Sequence, residues 1–417
     1  MRRVIATLLA LAAMLAGAAP AAAISESGLK SVIAREMSRA PAASGAYVRD
    51  MNTGVELYAR RENAVRIPAS VEKLFTTSAA LLRLGPSATL TTRAVIAPEA
   101  VVEPGGTLRG DLVLVGGGDP FFGDAIAAKL AKDIRATGIR RITGSVIGDE
   151  SAFDERRASC CVGYDPDLGG VLSALAYDRG IFRGRARLDA ARFAAGRFAA
   201  QLKAAGVATA GASKAGVAPD SANTVASVSS FSIGELARYI NVPSNNFAAE
   251  MLFRELGARY RDRGSRAAGA DVVRDTLDDF GVHPKIVDGS GLSRSNRATP
   301  RQVVRLLERM HNQKIAQTFR RSLAVTGVTG TVKSRMRRTA AAGRCNVKTG
   351  TLRLVSALAG YCRTAAGRDI GFALMFNKAN TWAAKAREDR IVVAIARLSS
   401  APAAPAPEGG ARPQPPA

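Results

Sequence analysis

Three short polar motifs constrain this chain more than any other feature, because they are useful only together and long stretches separate them. Ser70-Val71-Glu72-Lys73 opens an apolar helix, Ser244-Asn245-Asn246 follows a break at Pro243, and Lys348-Thr349-Gly350 lies in a strand pattern. Ser244 comes 174 residues after Ser70, which leaves room for one solid folded unit between the first two motifs. Singly each motif is weak. Ser27 and Lys30 repeat the first spacing, and Ser221-Ala222-Asn223 repeats the second. Ser70 alone is a natural cap, Asn245-Asn246 loop material, and Thr349-Gly350 a strand end. What distinguishes Ser70 from Ser27 is its setting, after two strands and before the apolar run "LFTTSAALL".

Around the motifs the hydropathy pattern is mixed. "SESGLKSVIAREMSRA" places Leu29, Val32, Ile33 and Met37 at helical spacing, so Ser27 sits on a peripheral helix. "GAYVRDMNTGVELYARRENA" predicts a hairpin turning at Asn52-Thr53-Gly54. From about Thr91 the texture changes to short strands, with helices in "DAIAAKLAKDIRATG" and "LDAARFAAGRFAAQLKAAG". Gly116-Gly117-Gly118 lacks the Lys-Ser/Thr ending of a phosphate loop and precedes Asp119-Pro120, so it predicts a strand-end turn. Two helices then flank Pro243. "KIVDGSGLSRSNRATP" predicts a strand and loop, Thr299 caps a helix with Pro300 in its first turn, and "CNVKTGTLRLVSALAGYCRT" predicts two antiparallel strands. "DIGFALMFNKA" adds a strand and "TWAAKAREDRIVVAIARL" a terminal helix. The expected organisation is a discontinuous domain from 24–92 and 226–398, an inserted domain at 93–225, and a Pro/Ala-rich tail without regular structure at 399–417.

"MRR", an apolar run and the small residues Ala21 and Ala23 predict a secretory signal in 1–23, too short in its apolar part for a span, and no transmembrane anchor after cleavage. The formal charge of +24 falls to +22 without it, since 1–23 carry two arginines and no acids. Export makes nucleic acid a poor partner and turns this charge toward an anionic envelope polymer or membrane surface, while arginines scattered over solvated faces account for it equally well. Only His283 and His311 are present, without a His/Cys cluster at ligand spacing, so neither a metal nor any other cofactor is expected. An oxidising compartment permits disulfides among Cys160, Cys161, Cys345 and Cys362, which allow three connectivities. Adjacent cysteines rarely bridge each other. If Leu352-Arg353-Leu354-Val355 form the bend of the hairpin, Cys345 and Cys362 stand opposite, which makes them the pair to test first.

Together the motifs match the Ser-x-x-Lys, Ser-x-Asn and Lys-Thr-Gly set of penicillin-interacting serine enzymes. The chemistry explains the set. Serine is a weak nucleophile and needs a base, and Lys73 shares a helical face with Ser70. Lys73 serves only if partly neutral, a state favoured by burial and by a second cation such as Lys348. Ser244 is expected to bridge the two lysines and relay a proton to the leaving amine. Asn246 is expected to bond the substrate, and Lys348 and Thr349 to hold its terminal carboxylate. The 348–351 strand is expected to be an edge where a peptide adds. The N–H groups of Ser70 and Thr351, beyond Gly350, would form an oxyanion hole. Glu72 should point off the shared face and is not the expected base.

The sequence resembles the class C low-molecular-mass penicillin-binding proteins, of penicillin-binding protein 4 type. The likeness runs through "IPASVEKLFTTSAAL", "GDLVLVGGGDP", "GSVIGD", "PSNNFAAEML", "VDGSGLSR", "GVTGTVKSRM" and "VKTGTLRLVSALAGY". It implies a transpeptidase-like α/β (α+β) domain, an antiparallel sheet between helix layers, with an inserted α+β domain. It also implies a periplasmic, penicillin-sensitive serine D-Ala-D-Ala carboxypeptidase and endopeptidase, acting on peptidoglycan stem peptides through an acyl-enzyme on Ser70 and inhibited by β-lactams. Asn245 stands where many relatives carry an acid, and Cys160-Cys161 belong to no pattern of the family. Two rivals remain at this point: a catalytically weak wall-binding protein, and a β-lactamase, for which no carboxylate to activate the deacylating water is visible. The balance of the two activities, the preferred stem residue and the oligomeric state are left open.

Overall fold

The computed structural model describes residues 23–159, 163–261 and 263–401. The expected signal up to residue 22, Cys160, Cys161 and the tail beyond 401 lie outside the described residues.

Alternation of large and small side chains builds the central sheet. Its six strands are β1 Ser44–Asp50, β2 Glu56–Arg60, β3 Ala324–Val325, β4 Cys345–Leu352, β5 Val355–Arg363 and β6 Asp369–Asn377. Their order is β3-β4-β5-β6-β1-β2, and every pairing is antiparallel. Along β6, Ile370, Phe372, Leu374 and Phe376 point to one face, where they pack with Leu29 and Ile33 of the Glu26–Ser38 helix and Ile391 and Ile395 of the Thr381–Ala396 helix. Ala373 and Met375, with Ala357, Ala359 and Tyr361 of β5, point to the other face. Small residues there let buried helices come close. Lys73–Arg83, Ile233–Asn241, Asn246–Tyr260, Arg266–Asp278 and Pro300–His311 form that second layer. The result is the expected antiparallel sheet between helix layers.

The β4–β5 hairpin turns at Arg353 and Leu354, the latter at φ 59°, and its register places Cys345 opposite Cys362, where a disulfide joins them. Leu352 and Val355 close this two-residue turn and exchange both hydrogen bonds, so alternation turns the backbone groups of Thr349 and Thr351 to the outer edge. There β3 covers only Asn346 and Val347, which leaves the edge uncovered by any strand from Lys348 to Leu352.

Residues 89–232 contribute no strand to this sheet. They form a five-stranded and a four-stranded sheet around one shared core that includes Leu108, Leu114, Ile134, Phe198 and Leu202. Leu112–Val115 and Val146–Asp149 pair in parallel across the Asp124–Ala136 helix, so this unit mixes parallel crossovers with antiparallel pairs. The edges expected at 93 and 225 fall inside two strands, Thr89–Ile96 and Asn223–Ser232, which pair with each other as the unit's stem. The second strand escaped notice because its run of Ser, Thr and Ala is half exposed and lacks an apolar alternation. The strand expected in "KIVDGSGLSRSNRATP" is absent; only isolated bridges remain, from Lys285 to Arg297 and from Ala298 to Arg66, and the rest up to Thr299 is loop.

Candidate active site

The chain approaching Ser70 is clamped before it turns. Asn377, at the end of β6, accepts from Ile67 N at 2.8 Å and donates to Ile67 O at 3.1 Å. Ala69 then adopts φ 48°, a left-handed conformation costly for a residue with a Cβ. Ala69–Glu72 form a 3-10 turn, and the α-helix starts only at Lys73, not at Ser70 as expected. This change helps the pair, because residues three apart eclipse in a 3-10 turn. Lys73 Nζ lies 2.9 Å from Ser70 Oγ. Two glycines allow the turn its close neighbours. A Cβ on Gly350 would stand 2.6 Å from Pro68 O, and one on Gly291 would stand 2.1 Å from Ala69 O.

Ser70 is half-buried, whereas Lys73 behind it is fully buried. Besides Ser70, Lys73 Nζ donates to Asn246 Oδ1 at 2.7 Å and to the carbonyl of Ser290. Both of these oxygens can only accept, so they hold two N–H groups. The remaining position on Nζ, aimed at Ser70 Oγ, is a third N–H in the ammonium and a lone pair in the amine. Burial pushes the Lys73 ammonium down to about 8, against the pull of Glu72, Asp288 and Glu250.

These three carboxylates are buried, and two of them, Glu250 and Asp288, hold the loop that grips Lys73. Glu250 accepts from Ser290 N at 2.8 Å, so a single residue links it to Lys73, which donates to the Ser290 carbonyl. Burial, and then the charge of Asp288, raise Glu250 to about 7. Asp288 accepts from Gly291 N, Ser293 N and Asn296 Nδ2 at 2.6–2.8 Å. Glu72 does leave the Ser70 face, as expected, and its Oε1 lies 3.3 Å from Thr76 Oγ1. Thr76 has one proton to give, and Gly289 O, 3.0 Å away, can only accept. A protonated Glu72 donating to Thr76 satisfies both contacts. Burial, reinforced by Asp288 and Glu250, raises the Glu72 carboxyl well above its ordinary range.

The second motif sits in the break between helices. Ser244 has φ 63°, and Asn245 caps the next helix through Ala248 N. Lys348 Nζ donates to Ser244 Oγ at 2.8 Å and to Thr349 O at 2.9 Å. Burial, and then the charge of Lys73, hold Lys348 well below its ordinary value. Thr349 Oγ1 lies 2.8 Å from Thr331 Oγ1, and Thr351 is exposed on the open edge.

The geometry corrects two expectations. Ser244 does not bridge the lysines; it bonds Lys348, while Asn246 takes the place beside Lys73. Asn246 is also occupied at its other end, where Nδ2 donates to Asp167 O at 2.8 Å, so both ends of its amide are engaged within the protein, one of them on Lys73. Ser27 and Lys30 are exposed on the peripheral helix, remote in the fold from these groups. Beside the cluster opens a cavity of about 430 Å³, whose walls include Asp165, Asp167, Arg294, Leu352 and Arg353. Among the described residues no group of three or more His, Cys, Asp or Glu is placed to hold a metal ion.

The model of the D-Ala-D-Ala carboxypeptidase 3 (S13) family matches residues 28–167 and 168–398. The chain belongs to this family. A D-alanyl-D-alanine carboxypeptidase of Actinomadura sp. (strain R39) is 30% identical over 454 residues, covering 88% of this chain and 83% of the relative. Carboxypeptidase DacB of Mycolicibacterium smegmatis is 32% identical over 355 residues, covering 80% and 76%. The crystal structure of penicillin binding protein 4 (dacB) from Haemophilus influenzae shares the fold, with a TM-score of 0.74 over 85% of this chain and 98% of that one, at 20% identity. This S13 protein is thus a serine carboxypeptidase by family. Its motif residues Ser70, Lys73, Ser244, Asn246 and Lys348 form one cluster, with Thr349, Gly350 and Thr351 along its edge. Sequence reasoning missed the groups behind them: the Ser290 carbonyl, Glu250, Asp288, Thr331 and the Asp167 carbonyl. "VDGSGLSR" and "PSNNFAAEML" were visible signals for three of them, without a stated role.

Proposed function

We propose that this S13 serine peptidase cleaves the D-Ala-D-Ala bond of peptidoglycan stem peptides, and the D-Ala to diamino-acid bond of cross-links, through an acyl-enzyme on Ser70. The observation that carries this reading is the contact between Ser70 Oγ and a buried Lys73 whose other two proton sites are taken by carbonyl oxygens. In the neutral form Lys73 directs its lone pair at Ser70 Oγ and removes the proton as Oγ attacks the penultimate D-Ala carbonyl carbon. The N–H groups of Ser70 and Thr351 receive the oxyanion. The tetrahedral centre collapses, the C–N bond breaks, and the departing amine takes up the proton that Lys73 removed, which leaves Lys73 neutral again, while Ser244, held by Lys348, bonds the leaving nitrogen. Water, deprotonated at Lys73, then cleaves the ester and returns Oγ–H. The terminal carboxylate sits against Lys348 and Thr349, where it favours the charged form of a lysine that burial disfavours. The open edge from Lys348 to Leu352 accepts the peptide backbone as an added strand.

The same serine accounts for penicillin sensitivity, since a β-lactam presents a strained amide to Ser70. Of the carboxylates near Lys73, Glu250 and Asp288 are engaged in holding the 288–296 loop and Glu72 is turned to Thr76, which disfavours a β-lactamase that needs one of them to activate a deacylating water. A silent wall-binding protein has no need of the complete Ser70–Lys73–Asn246 contact. We place the enzyme in the periplasm, where its substrate lies; among the described residues no helix is long and apolar enough to cross a membrane. Incubation with pentapeptide and with cross-linked muropeptides, followed by chromatography, should show free D-alanine and uncross-linked products. Neither product, together with no covalent penicillin adduct, would favour the wall-binding protein.

The pH dependence follows from Lys73. Its neutral fraction grows as pH rises through about 8, so acylation should accelerate several-fold between about pH 7 and pH 9. Stopped-flow acylation rates at saturating β-lactam test this. A rate that falls across that interval would mean that the ammonium is the active form.

A further inference from the structure

A second polar cavity lies toward the opposite edge of the central sheet. The Ser70 cluster borders β4, next to the outer strand β3, whereas this cavity lies against β1, the fifth strand in order, and the Pro300–His311 helix. Its volume is about 370 Å³. Four arginines line it, Arg49, Arg301, Arg305 and Arg309, with the single carboxylate Glu308. Three of them recur at i, i+4 and i+8 of one helix, a spacing that places like charges side by side and weakens a helix unless something neutralises them.

Two of the four are neutralised within the protein. Arg301 stacks over the Tyr47 ring at 4.4 Å, donates to Tyr47 Oη at 2.9 Å, and lies 3.3 Å from both Glu56 and Glu62. Arg49 Nε lies 3.2 Å from Glu308. The nearby carboxylates are therefore tied to Arg49 and Arg301 and fix those guanidinium groups as walls. Arg305 and Arg309 are exposed and make no side-chain hydrogen bond or ion pair among the described residues. The Nη groups of Arg49 likewise donate to no partner described. The cavity thus combines a rigid arginine wall with two uncompensated charges.

We propose that this cavity is a binding site for a phosphomonoester. Guanidinium groups match phosphate oxygens in pairs, and a phosphomonoester carries close to the two negative charges that Arg305 and Arg309 lack. A tetrahedral anion offers three acceptor oxygens, one for each guanidinium with free donors. A phosphomonoester reaches an exported protein either on a soluble molecule or as the headgroup of phosphatidic acid, and both present the same chemistry to the cavity. The site uses none of the groups assigned to catalysis and stands independently of the peptidase mechanism.

The test uses the mature protein and two probes. Inorganic pyrophosphate is titrated calorimetrically, and vesicles of one part phosphatidic acid to about three parts phosphatidylcholine are tested by co-sedimentation. Binding of pyrophosphate should weaken at least about tenfold in the double variant Arg305→Ser/Arg309→Ser, with penicillin acylation unchanged. The variant Lys132→Ser/Arg185→Ser removes two exposed cations elsewhere and should bind as the parent does. Loss of vesicle binding in the first variant as well identifies a lipid headgroup as the source; vesicle binding absent or unaltered, with pyrophosphate binding lost, identifies a soluble ester. Absence of pyrophosphate binding in the parent, or equal weakening in both double variants, overturns the proposal, because diffuse positive charge then explains any attraction.

Discussion

Ser70→Ala should eliminate covalent labelling by fluorescent penicillin and release of D-alanine, while the melting temperature stays close to that of the parent. Ser70 Oγ is the only oxygen that the cluster presents on the nucleophile turn with a proton acceptor 2.9 Å away. Ser244, the other serine, is bonded to Lys348 on a different element. It has no described contact with Lys73, so it has no base to take over the attack. The substitution removes one hydroxyl from a half-buried position and leaves the Pro68–Lys73 turn, with its clamp at Asn377, intact. Labelling retained at the parental level would place the acyl group on another residue and sink the assignment.

The second large effect concerns the base. Lys73→Ala should slow acylation by about two to four orders of magnitude, the usual range for loss of a positioned general base. Binding should change much less, because Lys73 is directed toward Ser70, Asn246 and the Ser290 carbonyl, and the proposed mechanism gives the substrate's carboxylate to Lys348. The loss therefore belongs in kcat, or in the limiting acylation rate of a β-lactam, with KM nearly preserved. Lys73→Arg should not restore the rate, since a guanidinium keeps its proton at any working pH. Removing a buried cation beside Glu72, Glu250 and Asp288 also disturbs the fold, so Lys73→Met, which keeps the volume of the chain, separates the two effects. If this variant melts like the parent yet acylates slowly, the deficit is chemical. A change confined to KM would show that Lys73 binds and does not act as a base.

The parts of this site that were legible in the sequence are those that lie within a few residues of one another. Ser70 and Lys73 share a turn, Ser244 and Asn246 share a helix start, and Lys348 to Thr351 share a strand. The hairpin register was also readable, because a two-residue bend fixes every pair along it, including Cys345 with Cys362. The wiring between the motifs was not readable. Which lysine takes Asn246 and which takes Ser244 depends on how helix Asn246–Tyr260 is rotated against Lys73–Arg83, and no local pattern encodes a rotation. The partners from Ser290 and Asp167 are carbonyl groups, which every residue possesses, so their identity carries no signal. The helix start at Lys73 was misplaced for a similar reason. The left-handed Ala69 is imposed from outside, by Asn377 on one side and by Gly291 and Gly350 on the others.

One contact described above bears on how this enzyme can be altered. Asn246 reaches Asp167 O, and around that bond Phe153, Leu168, Leu172 and Ala176 pack on Phe247 and Met251 of the same helix. The stretch that follows Val146–Asp149 thus forms a wall of the cavity beside Ser70 and supports one of the three groups that contact Lys73. Residues 89–232 are consequently not a cassette. A shortened protein made by joining Gly85 directly to Ser232 would keep every motif and the whole central sheet, yet it would strip the cover from two large apolar side chains and leave Asn246 free to rotate away from Lys73. Grafts between relatives face the same restriction: an inserted unit and its Asn246–Tyr260 helix need to be exchanged together.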